Sequence, residues 1–130
     1  MKEIEIAVDQ YRDALDKLEE GVEEAQNELD RDGVIQRFEF TFELSWKALK
    51  LILEYEGFDC RSPRSCIKEA FRRDIIVDSE LYLDMLEDRN RSSHIYDEQT
   101  SLEIFEHIKG DYVGKLSEMG DKFQRYVADM

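Results

Sequence analysis

The chain has 130 residues, with 42% hydrophobic and 38% charged side chains, one proline and a formal net charge of −14. That is the length of one domain, enough to bury roughly two-thirds of the unfolded surface, and the composition favours long exposed helices. It excludes a membrane span, since no apolar run approaches ~20 residues, and it argues against DNA and general nucleic-acid binding, because polyanions repel.

The N-terminus, Met1-Lys2-Glu3-Ile4-Glu5, lacks the apolar core of a signal peptide, so a cytoplasmic protein is expected. Ile4, Val8, Tyr11, Leu15, Leu18, Val22, Ala25 and Leu29 then follow alternating steps of four and three. Such an a/d seam predicts one helix over about residues 3–30, closed by Arg31-Asp32-Gly33 with Gly33 in a left-handed cap. Glu19, Glu20, Glu23 and Glu24 fall mostly off the seam and read as a solvated face.

From Val34 to Glu56 the alternation of Phe38, Phe40, Phe42 and Leu44 suits a strand. Ile35, Phe38, Phe42, Leu49 and Ile52 suit a helix, and the lack of any breaker decides for helix. Phe40 and Leu44 widen its apolar surface beyond one stripe. Either this helix is the most buried, or a second face, carrying Phe40 and Trp46, docks a partner. Gly57 ends it. A helical hairpin with the first helix is expected across the turn at Gly33.

Ser62 and Pro63 start a third, shorter helix as N-cap and first residue. Cys66, Ile67, Ala70 and Phe71 are expected to face inward. Cys60 and Cys66, six apart and alone, fit neither a zinc site nor a disulfide framework; Cys66 reads as a small buried hydrophobe. Arg61, Arg64, Lys68, Arg72 and Arg73 stand against Glu69 alone, a local +4 that leaves −18 on the remainder. The strip around Arg61, Arg64 and Lys68 is either an ordinary solvated face or a surface for a phosphate-bearing substrate or a partner.

Ser79 is the expected N-cap of a fourth helix, with Tyr82, Leu83, Met85 and Leu86 packing inward. Thr100 or Ser101 is the expected cap of a fifth, carrying Leu102, Phe105, Ile108, Tyr112, Leu116, Met119, Phe123 and Val127. Gly110, Gly114 and Gly120 weaken it and point to close packing or a kink. These elements predict an all-α fold, an antiparallel up-and-down four-helix bundle with an additional short helix, forming a single domain over residues 1–130.

One stretch buries no stripe. Asp88 to Glu98 crowds Arg89, Arg91, His94, Tyr96, Ser92, Ser93 and three carboxylates around a single aliphatic residue, Ile95. A solvated helix end accounts for this composition. So does a site where an acid–base group works beside fixed cations on developing phosphate charge. If the stretch continues the fourth helix, Arg89 and Ser93 are neighbours, as are Arg91 and His94, whereas Arg89 and His94 lie about 140° apart. They converge only if the helix ends or distorts near Ser92, or if two chains contribute. Two such histidines would suffice for metal-free RNA cleavage, one neutral and one protonated. A metal route fits poorly, because His94 and His107 are the only histidines and neither has paired-ligand spacing. His107 reads as a surface residue.

Arg89-Asn90-Arg91-Ser92-Ser93-His94-Ile95-Tyr96 resembles the Arg-x4-His signature of HEPN-domain proteins, with a polar residue after the arginine and a tyrosine two after the histidine. Arg37-Phe38-Glu39-Phe40-Thr41-Phe42-Glu43-Leu44-Ser45-Trp46-Lys47 resembles the matching helix of a bacterial HEPN branch, the nucleotidyltransferase substrate-binding protein family. Ser62-Pro63-Arg64 and Asp88-Arg89-Asn90 fit as well, so the likeness spans almost the whole chain. The resemblance implies a four-helix bundle that dimerises and binds a minimal nucleotidyltransferase encoded beside it. In one view the chain is the enzyme's substrate-binding subunit, contacting nucleotide, substrate or partner through residues such as Arg91 and Ser93. In another it is the toxin of a toxin–antitoxin pair, cleaving RNA with Arg89, Asn90 and His94 until the nucleotidyltransferase adenylylates Tyr96. No cofactor or metal is implied.

Overall fold

A computed structural model describes residues 2–130. It is all helical: α1 (Lys2–Glu24), α2 (Glu28–Tyr55), α3 (Pro63–Arg72), α4 (Ser79–Arg91), α5 (Glu98–His107) and α6 (Val113–Ala128). A 3-10 turn, Ser92–His94, follows α4, and a π-helical turn, Ile108–Tyr112, joins α5 to α6 as one continuous rod. The all-α bundle expected from the periodicity is therefore present, with α3 as its short extra helix.

α2 is the central element and touches α1, α3, α4 and α5, while α6 packs on α1. Its Ile35, Phe38, Phe42, Leu49, Ile52 and Leu53 are fully enclosed. They form one core with Tyr11 and Leu18 of α1, Met85 of α4 and Phe123 of α6. Burial of this apolar surface, at about 25 cal/mol per Å2, is the main force closing the bundle.

The first turn differs from expectation. α1 stops at Glu24, and Asn27 caps α2 by accepting the Asp30 N–H at 2.8 Å. Gly33 lies within α2, where it closes nothing, and Leu29, placed on the seam, is 80% exposed. Gly57 does end α2: it adopts φ +91°, a conformation open to glycine, and Phe58 N–H returns to Leu53 O. Ser62 caps α3 with Ser65 completing a reciprocal capping box. Asp78 rather than Ser79 caps α4, and Asp97 rather than Thr100 or Ser101 caps α5. In both cases the helix begins one to four residues earlier than expected, because a carboxylate upstream caps it, Asp78 accepting the Leu81 N–H and Asp97 the Thr100 N–H.

Two further corrections concern α3. Cys66 is buried, but it is bonded to Cys60 in a disulfide that ties the preceding loop to the helix. Two cysteines six apart cannot build a framework of several bridges, but they can close one short loop, as they do here. Phe71, expected inward, is 46% exposed.

Candidate functional site

The last turn of α4 carries the crowded stretch. Tyr82, Met85 and Leu86 are drawn into the core, which fixes the helix rotation and leaves Arg89 facing α2. Its guanidinium meets Glu43 Oε2 at 2.8 Å and Asn90 Oδ1 at 3.1 Å. Further round the helix, Arg91 bridges Asp88 Oδ1 at 3.1 Å and Glu103 Oε2 of α5 at 2.7 Å.

The α-helix gives way at Ser92, where sequence reasoning required a break if Arg89 and His94 were to converge. Ser92 donates its hydroxyl hydrogen within reach of Glu39 Oε2 and Arg89 O, at 3.0 and 2.6 Å. Ser93 points back to Asn90 O at 3.4 Å. His94 and Tyr96 then project from the turn, with Nδ1 and the phenolic oxygen 3.3 Å apart and the rings edge to face. Tyr96 is 82% exposed. Arg89 and Asn90 thus form one hydrogen-bonded group with Glu43, and His94 and Tyr96 form another. Among the described residues no hydrogen bond joins the two.

Glu43 also lines an open groove of about 980 Å3 between α1 and α2, together with Ala14, Lys17, Arg37, Phe40 and Leu44. Phe40 projects into solvent there, and Arg37 Nη1 donates to Lys17 O across the helix pair at 2.6 Å. The site therefore abuts a surface with apolar floor and charged rim. Trp46, paired with Phe40 in the sequence reading, is instead half-buried against the core. Its buried indole N–H lies beside the Glu43 carboxylate, close enough to polarise it though outside strict hydrogen-bond geometry. Burial works to raise the Glu43 pKa, but Trp46, Arg89 and Lys47 outweigh it and hold the carboxyl below its ordinary value. Arg91 likewise lowers Glu103.

The cationic strip on α3 makes no hydrogen bond to this site. Arg61 pairs with Asp59 at 3.3 Å, and Arg72 and Arg73 both turn to Glu69. Arg64 and Lys68 are exposed, and among the described residues neither makes an ion pair. Among the described residues there is no cluster of three His, Cys, Asp or Glu side chains arranged to hold a metal ion, and no helix is long and apolar enough to cross a membrane.

Sequence reasoning missed the acidic partners. Glu39 and Glu43 lie 53 and 46 residues from the groups they bind. Asp88 was visible beside Arg89, but its burial was not, nor its link to His107, which is a surface residue as expected but tied inward.

Residues 7–125 match the family described as nucleotidyltransferase substrate binding protein like. The chain is similar to the "Probable ribonuclease HepT" of Haemophilus influenzae, at 30% identity over 81 residues, 58% of this chain and 56% of that protein. The match thus spans about half the length of the curated relative. A crystal structure of a Thermus thermophilus protein superposes with a TM-score of 0.76 at 32% identity, covering 89% of this chain and 97% of the other. HI0074 of Haemophilus influenzae, described as having the fold of a substrate binding domain of a nucleotidyltransferase, superposes with a TM-score of 0.81, covering 90% and 98%. At 24% identity that likeness speaks for the fold. With the family match running from α1 into α6, the chain belongs to the nucleotidyltransferase substrate binding protein like family.

Proposed function

We propose that the chain is the helical partner subunit of a minimal nucleotidyltransferase, working as a cytoplasmic homodimer and as one half of a toxin–antitoxin pair. The family match over residues 7–125 carries this reading. The groove beside Glu43 supports it, because an exposed Phe40 on an apolar floor with a charged rim is the composition of a docking surface. Co-expression with a minimal nucleotidyltransferase from the same genome tests the reading. A stable complex by size-exclusion chromatography with light scattering is expected, weakened by Phe40→Asp, a substitution that leaves the core intact. If the two proteins elute separately at micromolar concentration, the reading is wrong.

A second reading starts from the name of the Haemophilus relative and from the break in α4 at Ser92, after which the Arg89 and His94 groups of one chain stay separate, so that it needs two chains. It makes the chain a metal-independent endoribonuclease. In a dimer, one neutral His94 takes the 2′-hydroxyl proton as O2′ attacks phosphorus. The P–O5′ bond breaks, and the second, protonated His94 gives its proton to the leaving 5′-oxygen. Arg89, steadied by Asn90, stabilises the pentacoordinate phosphorus. The products are a 2′,3′-cyclic phosphate and a 5′-hydroxyl. Adenylylation of exposed Tyr96 would cover the neighbouring imidazole and stop the reaction. RNA cleavage in the presence of EDTA, abolished in His94→Ala and Arg89→Ala, is the expected result; cleavage that survives both substitutions excludes these residues.

A further inference from the structure

Asp88 is the one carboxylate in the crowded stretch that is buried, at 4% exposure, and neither reading above uses it. Burying a carboxylate is costly unless every acceptor position finds a donor. Three groups supply them. Arg91 Nη1 lies 3.1 Å from Oδ1, His107 Nδ1 lies 2.7 Å from Oδ2, and the Tyr112 hydroxyl donates to Oδ2 at 2.6 Å.

Two of these groups lie at the ends of the π-helical turn. His107 and Tyr112 are five apart, a spacing that in a regular α-helix leaves side chains about 140° apart and unable to share one acceptor. In this turn the Val113 N–H reaches Ile108 O, an i→i+5 bond, so residues five apart come nearly into line. The two rings accordingly stand 6.0 Å apart and both reach the same carboxylate oxygen. Gly110 sits within this turn with open space around it. The irregularity is thus matched to one task, which is to bring two donors from the C-terminal rod to the end of α4.

We propose that Asp88 is a positioning residue. Gripped by His107 and Tyr112 of the C-terminal rod, it fixes the final turn of α4, so that Arg89, the next residue, and Ser92, one turn on, are held in their aim at α2. The same turn is thus clamped by two separate elements, since Arg89 and Ser92 bind Glu43 and Glu39 of α2. This inference rests on the ribonuclease reading only for its effect on rate; its effect on order can be measured without activity.

The test uses the full chain with Tyr112→Phe and Asp88→Asn. Tyr112→Phe removes one hydroxyl and keeps the stacking of the ring on Phe38, whose centroid is 5.4 Å away. Amide hydrogen exchange across residues 89–96 is expected to accelerate about tenfold in both variants, with α1 and the middle of α2 unchanged. If the wild type cleaves RNA, kcat is expected to fall about tenfold with KM held, because a misaimed group costs rate more than binding. Exchange unchanged at residues 89–96, or accelerated evenly through all helices, overturns the proposal, as does an unchanged kcat in a cleaving protein. Should the wild type cleave nothing, the ribonuclease reading fails and the exchange pattern alone decides whether Asp88 positions the turn.

Discussion

At the scale of single residues, the Arg89–Glu43 pair joins the proposed site to the groove. Both side chains are about one-third exposed, at 31% and 32%, so solvent screens the pair without cancelling it. The composition of the Asp88–Glu98 stretch was legible in the sequence because its residues are neighbours in the chain. The group facing its arginine was not, because the periodicity of α2 sorts residues into core and surface and does not say which surface carboxylate meets α4. Glu43 is held below its ordinary carboxyl pKa of 4.5 by Trp46, Arg89 and Lys47, against the opposing effect of burial. A lowered folded pKa means that this stability is fully present above 4.5 and is lost as pH falls through the lowered value. Glu43→Gln is therefore expected to cost about 1 kcal/mol at pH 7. Urea denaturation should show wild type and variant converging as the pH drops below 4.5; a gap that stays constant from neutral pH into acid would refute this electrostatic account.

At the scale of elements, helix existence was legible and helix ends were less so. The a/d spacing continues in the sequence through Ala25 to Leu29, although Leu29 is exposed, because apolar spacing does not register a short break in the backbone. What ends α1 is the competition of Asn27 for the N–H groups of the next helix, a local hydrogen bond that apolar periodicity does not register. The π-helical turn was hidden for a similar reason: three glycines signalled an irregularity, but its purpose lies in contacts to α4. Gly33 separates the two accounts of the first turn. As a left-handed cap it would be strained by any side chain. In its actual place, inside α2 with nothing within 4 Å of an added Cβ, it is a helical residue with excess unfolded-state freedom. Gly33→Ala is expected to stabilise the protein by about 0.5–1 kcal/mol, read as a raised thermal midpoint. A lowered midpoint would restore the capping role.

At the scale of the whole molecule, four phenols fasten the C-terminal rod to the rest of the bundle. Tyr11 of α1 donates to Leu116 O, Tyr82 of α4 to Lys115 O, Tyr112 to Asp88, and Tyr126 of α6 to Glu56 at the end of α2. Each bond needs the phenol protonated. Burial is the main cause that lifts all four above the ordinary 10.0, helped by the carboxylates Asp88 at Tyr112 and Glu56 at Tyr126. A raised folded pKa means that this stability is complete below pH 10 and drains away as pH climbs toward the folded values, because the unfolded chain releases those protons first. Alkali should therefore detach the rod, and the helices packed on it should melt together. Ionisation of these phenols, followed by ultraviolet absorbance, is expected to coincide with the loss of far-ultraviolet circular dichroism. Tyr126→Phe, the least buried of the four, should shift the transition least. If the phenols ionise well before any helix is lost, the ties are not what holds the rod in place, and apolar packing of Leu116, Met119 and Phe123 carries it alone.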